Sequence, residues 1–334
     1  MPAVLAVPLF LVSLSVMLAA ARLFARRLDR LGVRFGLPEA LIGLLTAVAA
    51  DGPNVSSALF ALAKGAHDVG VGVLVGSNAF QLAAMIGVSA LLAGSVLIPR
   101  ETLALEGLVG LLVTMLAAAL LFRWLSPLAS VLIAALVIAP YLALVIAGAG
   151  LLDRLHADSQ SPLARLARAL HEHPGPDRGA DTSANPTHHL LGLIVVDVAL
   201  IIAGSAGMVE AALSLGADWH IANTVLGVLI LAPLTSLPNA VTAIRLGLAG
   251  RGAALVGETF NSNSINLGVG VIVPSLFVTF TALTSVDKQQ LGWLLAMTVA
   301  TLVLLGAKRG MRRAGAVALI LLYFAFAAGT LVGR

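Results

Sequence analysis

The sequence DGPNVSSALFALAKGAHDVGVGVLVGSN, at Asp51–Asn78, returns in altered form as SLPNAVTAIRLGLAGRGAALVGETFNSN at Ser236–Asn263. The two stretches align without a gap at a shift of 185 positions. Proline followed by asparagine recurs near the start of each stretch, and serine followed by asparagine recurs at the end. Two equivalent stretches so far apart predict a chain built from two related halves.

Composition places both stretches in a membrane. Mean hydropathy is +1.02, 59% of the residues are hydrophobic and 11% are charged, whereas a soluble domain has about 25% charged residues. The absence of cysteine excludes disulfides and thiolate metal sites. The basic residues lie singly or in small groups between apolar runs, so the high pI indicates cytoplasmic loops and not nucleic-acid binding.

Ten apolar segments are long enough to cross a bilayer as helices, which takes about 20 residues each. They are residues 3–23, 37–63, 69–95, 103–122, 126–152, 189–212, 221–249, 253–283, 289–307 and 314–332. The polar composition of 153–188 predicts a linker that includes at most a short interfacial helix at 161–171. We therefore expect a first repeat at 1–152, the linker at 153–188 and a second repeat at 189–334.

Lysine and arginine indicate how these segments are oriented. With the N-terminus outside, 16 of the 20 lysines and arginines fall on the cytoplasmic side, where such residues accumulate. We expect both termini outside, in a bacterial inner (plasma) membrane. Because each half has an odd number of helices, the second half is inverted relative to the first. The predicted fold is an all-α membrane protein with ten transmembrane helices in two inverted-topology five-helix repeats, as in many secondary transporters.

Polar side chains inside apolar segments need a reason to be there. Asp51 and Asn54, for example, are three residues apart and share a helical face. Carboxylate, amide and hydroxyl oxygens together suit sodium or calcium better than zinc or copper. The predicted cation ligands are Asp51, Asn54, Ser77, Asn78, Thr235, Ser236, Asn239, Glu258, Asn261 and Asn263.

Pro53 and Pro238 each remove a backbone donor, so the second and seventh helices are expected to be interrupted there. The small residues of GVGVLVG at 70–76 predict close helix packing and not a nucleotide-binding loop.

Four other polar residues lie near the ends of the segments, where snorkelling or a local ion pair is expected, and Asp197 is also a candidate for a proton path. They are Glu106, Arg123, Asp197 and Glu210.

The two stretches resemble the alpha-repeats of the sodium/calcium exchanger (cation/calcium antiporter) superfamily. That family carries a Gly-Thr-Ser-x-Pro-Glu core, followed by a Gly-Asn/Asp-x-x-Gly-Ser-Asn core. The corresponding segments here are ADGPN at 50–54 and GVLVGSN at 72–78, then LTSLPN at 234–239 and GETFNSN at 257–263. The resemblance implies the ten-helix inverted fold, outside termini and exchange of calcium by alternating access.

The departures from the family pattern concern charge. The family's two calcium-binding glutamates fall on Asn54 and Asn239, while carboxylates stand at Asp51 and Glu258. Two carboxylates can neutralise one divalent ion, two sodium ions or two protons. Because electrostatic attraction scales with charge, amides at the two central positions predict a weaker calcium site.

The sequence thus predicts a secondary active cation antiporter that exchanges calcium against sodium or protons at a midplane site. Its partners are small inorganic cations and the lipid bilayer, with no cofactor and no nucleic acid, and a monomer is plausible. The alternatives are an exchanger of a different, monovalent or proton-coupled cation, and a non-transporting membrane protein that keeps the fold. An enzyme is not expected, because no nucleophile–base pair accompanies the repeats.

Overall fold

A computed structural model of the chain describes residues 1–37, 39–154, 187–280, 283–307 and 309–332. Most of the predicted linker, including its possible helix at 161–171, lies outside the described residues. The described chain is helical except for one short pair of strands.

The first half begins with helices α1 (Ala3–Arg34), α2 (Glu39–Ala63) and α3 (His67–Gln81). A π-helical turn at Leu82–Val88 joins α3 to α4 (Ser89–Ala93), and strand β1 (Ser95–Leu97) follows. Helices α5 (Arg100–Leu121) and α6 (Pro127–Arg154) complete this half.

The second half begins with α7 (Thr187–Asp218) and α8 (Asn223–Val225), a π turn at Leu226–Leu231, α9 (Ala232–Thr235) and α10 (Leu237–Leu248). Helix α11 (Gly252–Leu267) continues into a π turn at Gly268–Ile272 and a short 3-10 turn at Pro274–Leu276. The last elements are α12 (Ser285–Ala307), β2 (Gly310–Arg312) and α13 (Arg313–Val332).

The two halves repeat one another element by element. A shift of 185 positions places α1 on α7, α3 on α11, α5 on α12 and the start of α6 on the start of α13. The π turns that follow α3 and α11 also fall on equivalent positions, and π-helical turns often mark functional sites. The repeat therefore extends over the whole architecture and not only over the polar stretches.

Several helices carry large apolar side chains on their outer surfaces, as helices that face lipid do. Seven of the described helices are long and apolar enough to cross a membrane, or eight if α8 to α10 form one bent span. Large apolar side chains such as Val4, Leu136 and Phe324 are exposed on them. The chain is an integral membrane protein. The number of ten spans and the outside position of the termini stay predictions, since α2 and α11 are not among those helices.

The two prolines act differently in the two halves. Helix α2 runs without a break through Pro53, so the predicted interruption is wrong there. Gly52, which has no Cβ, relieves the clash that otherwise disfavours a helical residue before proline. In the second half, the helix breaks at Ser236 with a bend of 50°. Pro238 then lies in the first turn of α10, where proline is tolerated.

Small residues bring α3 close to the π turn at Leu226–Leu231, and α3 with its extension is almost completely buried. A Cβ on Gly76 would lie 2.7 Å from the carbonyl oxygen of Val228. A Cβ on Gly227 would lie 2.6 Å from the carbonyl oxygen of Val69. The predicted close packing of 70–76 is therefore confirmed.

The strand pair was not predicted from the sequence. Strands β1 and β2 pair antiparallel, with Val96 opposite Met311. A Cβ on Gly252 would lie 2.0 Å from the carbonyl oxygen of Leu97, so the first residue of α11 rests directly on β1. The pair joins the ends of α4, α11 and α13, which belong to different halves.

We expect Gly227→Ala to destabilise the protein, because its new methyl group would meet only the rigid backbone of Val69. Overpacking of this kind costs about 1–3 kcal/mol. Gly192→Ala, in α7, is the matched control, since nothing lies within 4 Å of its Cβ position. Thermal unfolding of both variants in detergent measures the difference. Equal apparent Tm values would contradict the close packing described for Gly227.

Candidate functional site

The carboxylate of Asp51 lies at the centre of the buried polar region. Asp51 is 0% exposed, in the middle of α2. Four side chains donate hydrogen bonds to its Oδ1 atom: Asn54 at 3.2 Å, Gln81 at 3.3 Å, Asn239 at 2.6 Å and Ser262 at 2.5 Å. Two of these donors come from the first half and two from the second, so the cluster joins the repeats.

Further hydrogen bonds hold these donors in place. The Ser236 hydroxyl, at the break between α9 and α10, donates to Asn54 Oδ1 at 3.2 Å. The Asn239 amide also donates to Ser262 Oγ at 3.0 Å, which links α10 to α11. The predicted ligands Asp51, Asn54, Ser236 and Asn239 are thus brought together, and the prediction that Asp51 and Asn54 share a face is confirmed.

A second set of amides lies at the crossing of α3 and α11. Asn78 Nδ2 donates to the backbone oxygen of Asn263 at 3.3 Å, and Asn266 Nδ2 donates to Asn78 Oδ1 at 3.0 Å. All three residues are buried. Asn78 and Asn263 are equivalent positions of the two repeats, so the crossing lies on the symmetry relation between the halves.

Several buried oxygens of these two sets have no hydrogen-bond partner among the described residues. They are Asp51 Oδ2, Asn239 Oδ1, Asn263 Oδ1 and Asn266 Oδ1. Buried polar atoms are normally satisfied, so each such atom calls for a missing partner. Oxygen atoms of carboxylates and amides are ligands of Na⁺ and Ca²⁺, and a cation would satisfy atoms that no donor reaches.

A second buried aspartate, Asp197, differs from Asp51 because an arginine of the protein neutralises its charge. Asp197, on α7, is 1% exposed and accepts a hydrogen bond from Arg27 Nη1 of α1 at 2.5 Å. Arg27 also donates to the backbone oxygen of Leu193 at 3.1 Å. Asp51 has no such cationic partner in the part of the chain that the structure describes. Local pairing was one of the two readings expected for Asp197, and this contact does not support the proton path.

The other predicted ligands have different surroundings. The hydroxyls of Ser77 and Thr235 donate to backbone oxygens near the end of the 223–235 segment. Glu258 is partly buried and makes no hydrogen bond or ion pair with the described residues. Asn261 does not join the Asp51 cluster, because its Oδ1 accepts a hydrogen bond from Tyr141 at 2.7 Å.

Three residues of the buried sets were absent from the predicted ligands: Gln81, Ser262 and Asn266. The sequence held a signal for all of them. The 185-residue shift pairs Ser262 with Ser77, a predicted ligand, and pairs Gln81 with Asn266, so both repeats carry an amide there. These two amides lie one turn beyond the stretches that define the repeat.

Glu106 corrects a second expectation. It does not snorkel and has no cationic partner among the described residues, but is 4% exposed, and the Tyr141 hydroxyl is its hydrogen-bond partner. The expectation of a local ion pair is confirmed for Glu210, which pairs with Lys64 at 2.8 Å. Arg123 instead donates a hydrogen bond to the backbone oxygen of Phe280 at 3.0 Å.

Comparison with known proteins identifies the family. The sequence profile described as "Sodium/calcium exchanger protein" matches residues 5–148 and 189–332, which together make up most of the chain. The chain belongs to the sodium/calcium exchanger family. Each match covers one half, so the profile finds the same two repeats as the structure. No curated protein sequence matches this exchanger-family chain significantly.

Solved structures share the fold of this family member. A structure of the sodium-calcium exchanger NCX_Mj, soaked with 2.5 mM Na⁺ and 0.1 mM Ca²⁺, is 18% identical with a TM-score of 0.61, covering 97% of this chain and 98% of that chain. A crystal structure of the H⁺/Ca²⁺ exchanger CAX is 16% identical with a TM-score of 0.71, covering 98% and 86%. At this identity the likeness concerns the fold alone.

The two buried aspartates should respond differently to neutralisation. Asp51→Asn keeps the shape of the side chain and the oxygen that accepts four hydrogen bonds, and it removes a buried charge that no described cation compensates, so the protein should fold without loss of stability. Asp197→Asn leaves the Arg27 charge without its partner and should cost about 3 kcal/mol. Thermal unfolding in choline chloride measures both effects. A larger loss in Asp51→Asn than in Asp197→Asn would contradict this assignment of the two charges.

Proposed function

We propose that the chain is a secondary active cation antiporter that exchanges calcium against sodium or protons, by alternating access at the Asp51 cluster. The observation that carries the proposal is the Asp51 carboxylate, buried between the repeats without a cationic partner among the described residues. A charge in that position is expensive unless it is compensated. A transported cation would supply the compensation, and its departure would restore the cost.

The two carboxylates of the proposed site, Asp51 and Glu258, match two positive charges. Glu258 and Ser262 are four residues apart on α11 and therefore share a face. Ser262 donates to Asp51, so Glu258 lies one helical turn from a residue that contacts this carboxylate. The carboxylates of Asp51 and Glu258 would together balance one Ca²⁺, two Na⁺ or two protons, so each of these could occupy the site in turn.

The comparisons support calcium as the cargo and leave the coupling ion to experiment. Of the two structures that share the fold, one is named a sodium-calcium exchanger and the other an H⁺/Ca²⁺ exchanger. Both sodium and protons are therefore to be tested as the counter-ion of this chain.

A second candidate, exchange of a monovalent cation, is favoured by Asn54 and Asn239. Both residues are neutral, and both donate to Asp51 instead of adding charge to the centre. The non-transporting alternative receives less support. A protein that had lost ion binding would have no need of a buried aspartate with an unpartnered oxygen.

We expect radioactive calcium to enter proteoliposomes that contain the protein when a sodium or a proton gradient is imposed. The gradient that drives uptake names the coupling ion. If neither gradient drives calcium, a thermal-shift screen over monovalent and divalent cations tests the second candidate, since a bound ion raises stability by mass action. Absence of both uptake and any thermal shift would overturn the antiporter proposal.

Variants of the acids identify the site. Asp51→Asn and Glu258→Gln should each reduce uptake to the level of empty liposomes, because each removes one of the two compensating charges. Glu210→Gln is the matched control: Glu210 is 53% exposed and its ion pair with Lys64 is worth at most about 1 kcal/mol, so uptake should be unchanged. Full uptake by the Asp51→Asn/Glu258→Gln double variant would refute the assignment of these residues.

A further inference from the structure

Another buried acid, Glu106, lies against α11 beside the face that meets Asp51. Glu106, on α5, is 4% exposed. The Tyr141 hydroxyl, from α6, lies 3.2 Å from each of its carboxylate oxygens and 2.7 Å from Asn261 Oδ1 of α11. Gly257, one turn before Asn261, lies next to the carboxylate, because a Cβ there would be in ordinary contact with Glu106 Oε1 at 3.6 Å.

The acceptor oxygens of Glu106 and Asn261 outnumber the protons that can be donated to them. Glu106 as a carboxylate has two acceptor oxygens, Asn261 has a third, and the Tyr141 hydroxyl carries one proton to donate. The shortest distance, 2.7 Å, assigns that proton to Asn261 and leaves the Glu106 carboxylate without a donor. Rotation of the Asn261 amide would add a donor but no positive charge.

No charged side chain compensates Glu106 within the described residues. The group that faces it from α6 is Tyr141, and those from α11 are Gly257 and Asn261. On α12, the neighbour of this part of α5 is Leu302, which contacts Gly107. A carboxylate surrounded in this way requires one positive charge from outside the protein.

The fold itself does not require an acid at this position. The 185-residue shift places Glu106 on Leu291 and Tyr141 on Phe326, both of which are buried. The equivalent positions of the second half are thus occupied by buried apolar side chains. The polar pair is an addition to one half only.

We propose that Glu106, Tyr141 and Asn261 form a second site that binds one monovalent positive charge, a sodium ion or a proton. A sodium ion would take oxygen ligands from all three residues. A proton would reside on one Glu106 oxygen and be donated to the Tyr141 oxygen, whose own proton goes to Asn261, so that the buried charge is removed and the three residues form one chain of hydrogen bonds. A divalent ion would leave one buried charge in excess.

This second site shares α11 with the Asp51 cluster. Gly257 and Asn261 form one stripe of the helix, while Glu258 and Ser262 form the neighbouring stripe. Binding at Glu106 therefore fixes the helix that also forms one wall of the Asp51 cluster. The assignment of the coupling ion to this second site rests on the proposed function. Binding of a sodium ion or a proton at Glu106 does not depend on that function.

The test measures binding without transport. The background is full-length Asp51→Asn/Glu258→Gln, in which Glu106 is the acid left in this buried region. Apparent Tm is recorded in detergent, first with sodium replacing choline at fixed pH and then over a pH series in choline. We expect Tm to rise with sodium if the site takes sodium. If it takes a proton, Tm falls as pH rises, because the folded state holds the proton more tightly.

Adding Glu106→Gln should abolish whichever response is seen, because glutamine has the same shape and no charge. Tyr141→Phe, made in the wild-type chain as well, removes a single oxygen and should weaken the apparent affinity about tenfold, equivalent to about 1.4 kcal/mol. A purely structural role would lower Tm equally in every buffer. The proposal is overturned if the background shows neither response, or if Glu106→Gln leaves the response unchanged. Calcium uptake by the wild type is a separate result, so the two proposals can fail independently.

Discussion

The buried charge of Asp51 is the constraint on which the rest of this structure depends. A carboxylate in the interior of a membrane protein loses its hydration, and several kcal/mol of that loss must be offset by its surroundings. Four neutral donors meet at one of its oxygens, and they come from four different helices. Their convergence fixes how α2, α3, α10 and α11 lie relative to one another. The glycine contacts between α3 and the π turn at Leu226–Leu231 allow that approach.

The neutrality of these donors is as informative as their number. Asp197 is neutralised permanently by Arg27, which makes it a fixed contact between α1 and α7. An arginine beside Asp51 would have done the same and would have removed any need for an ion. Amides and hydroxyls stabilise the carboxylate by hydrogen bonding and leave its charge available. An amide can also present its oxygen after rotation, so the same residues could line the proposed site both with and without a bound cation.

Much of the fold and of the buried polar cluster was predictable from the sequence, because the residues that determine them recur in a regular pattern. The gapless repeat identified the two halves and the family, and polar residues in apolar segments identified most of the buried cluster. The break at Ser236 with none at Pro53 was not predicted, although Gly52, the residue before Pro53, carried part of the signal; the rest depends on packing. Glu106 was missed because its surroundings come from helices that are distant in sequence. The strand pair was missed because three-residue strands carry no periodic signal.

The long sequence separation within the Asp51 cluster has a consequence for how the protein is made. Asn239 and Ser262 follow Asp51 by 188 and 211 residues. Chains emerge from the ribosome N-terminal half first, so the first half enters the bilayer before those partners exist. During that interval Asp51 has only the donors of its own half, and Asn78 lacks its contacts to Asn263 and Asn266. Biogenesis therefore includes a stage at which a half-built transporter must shield a polar surface from lipid until its other half arrives.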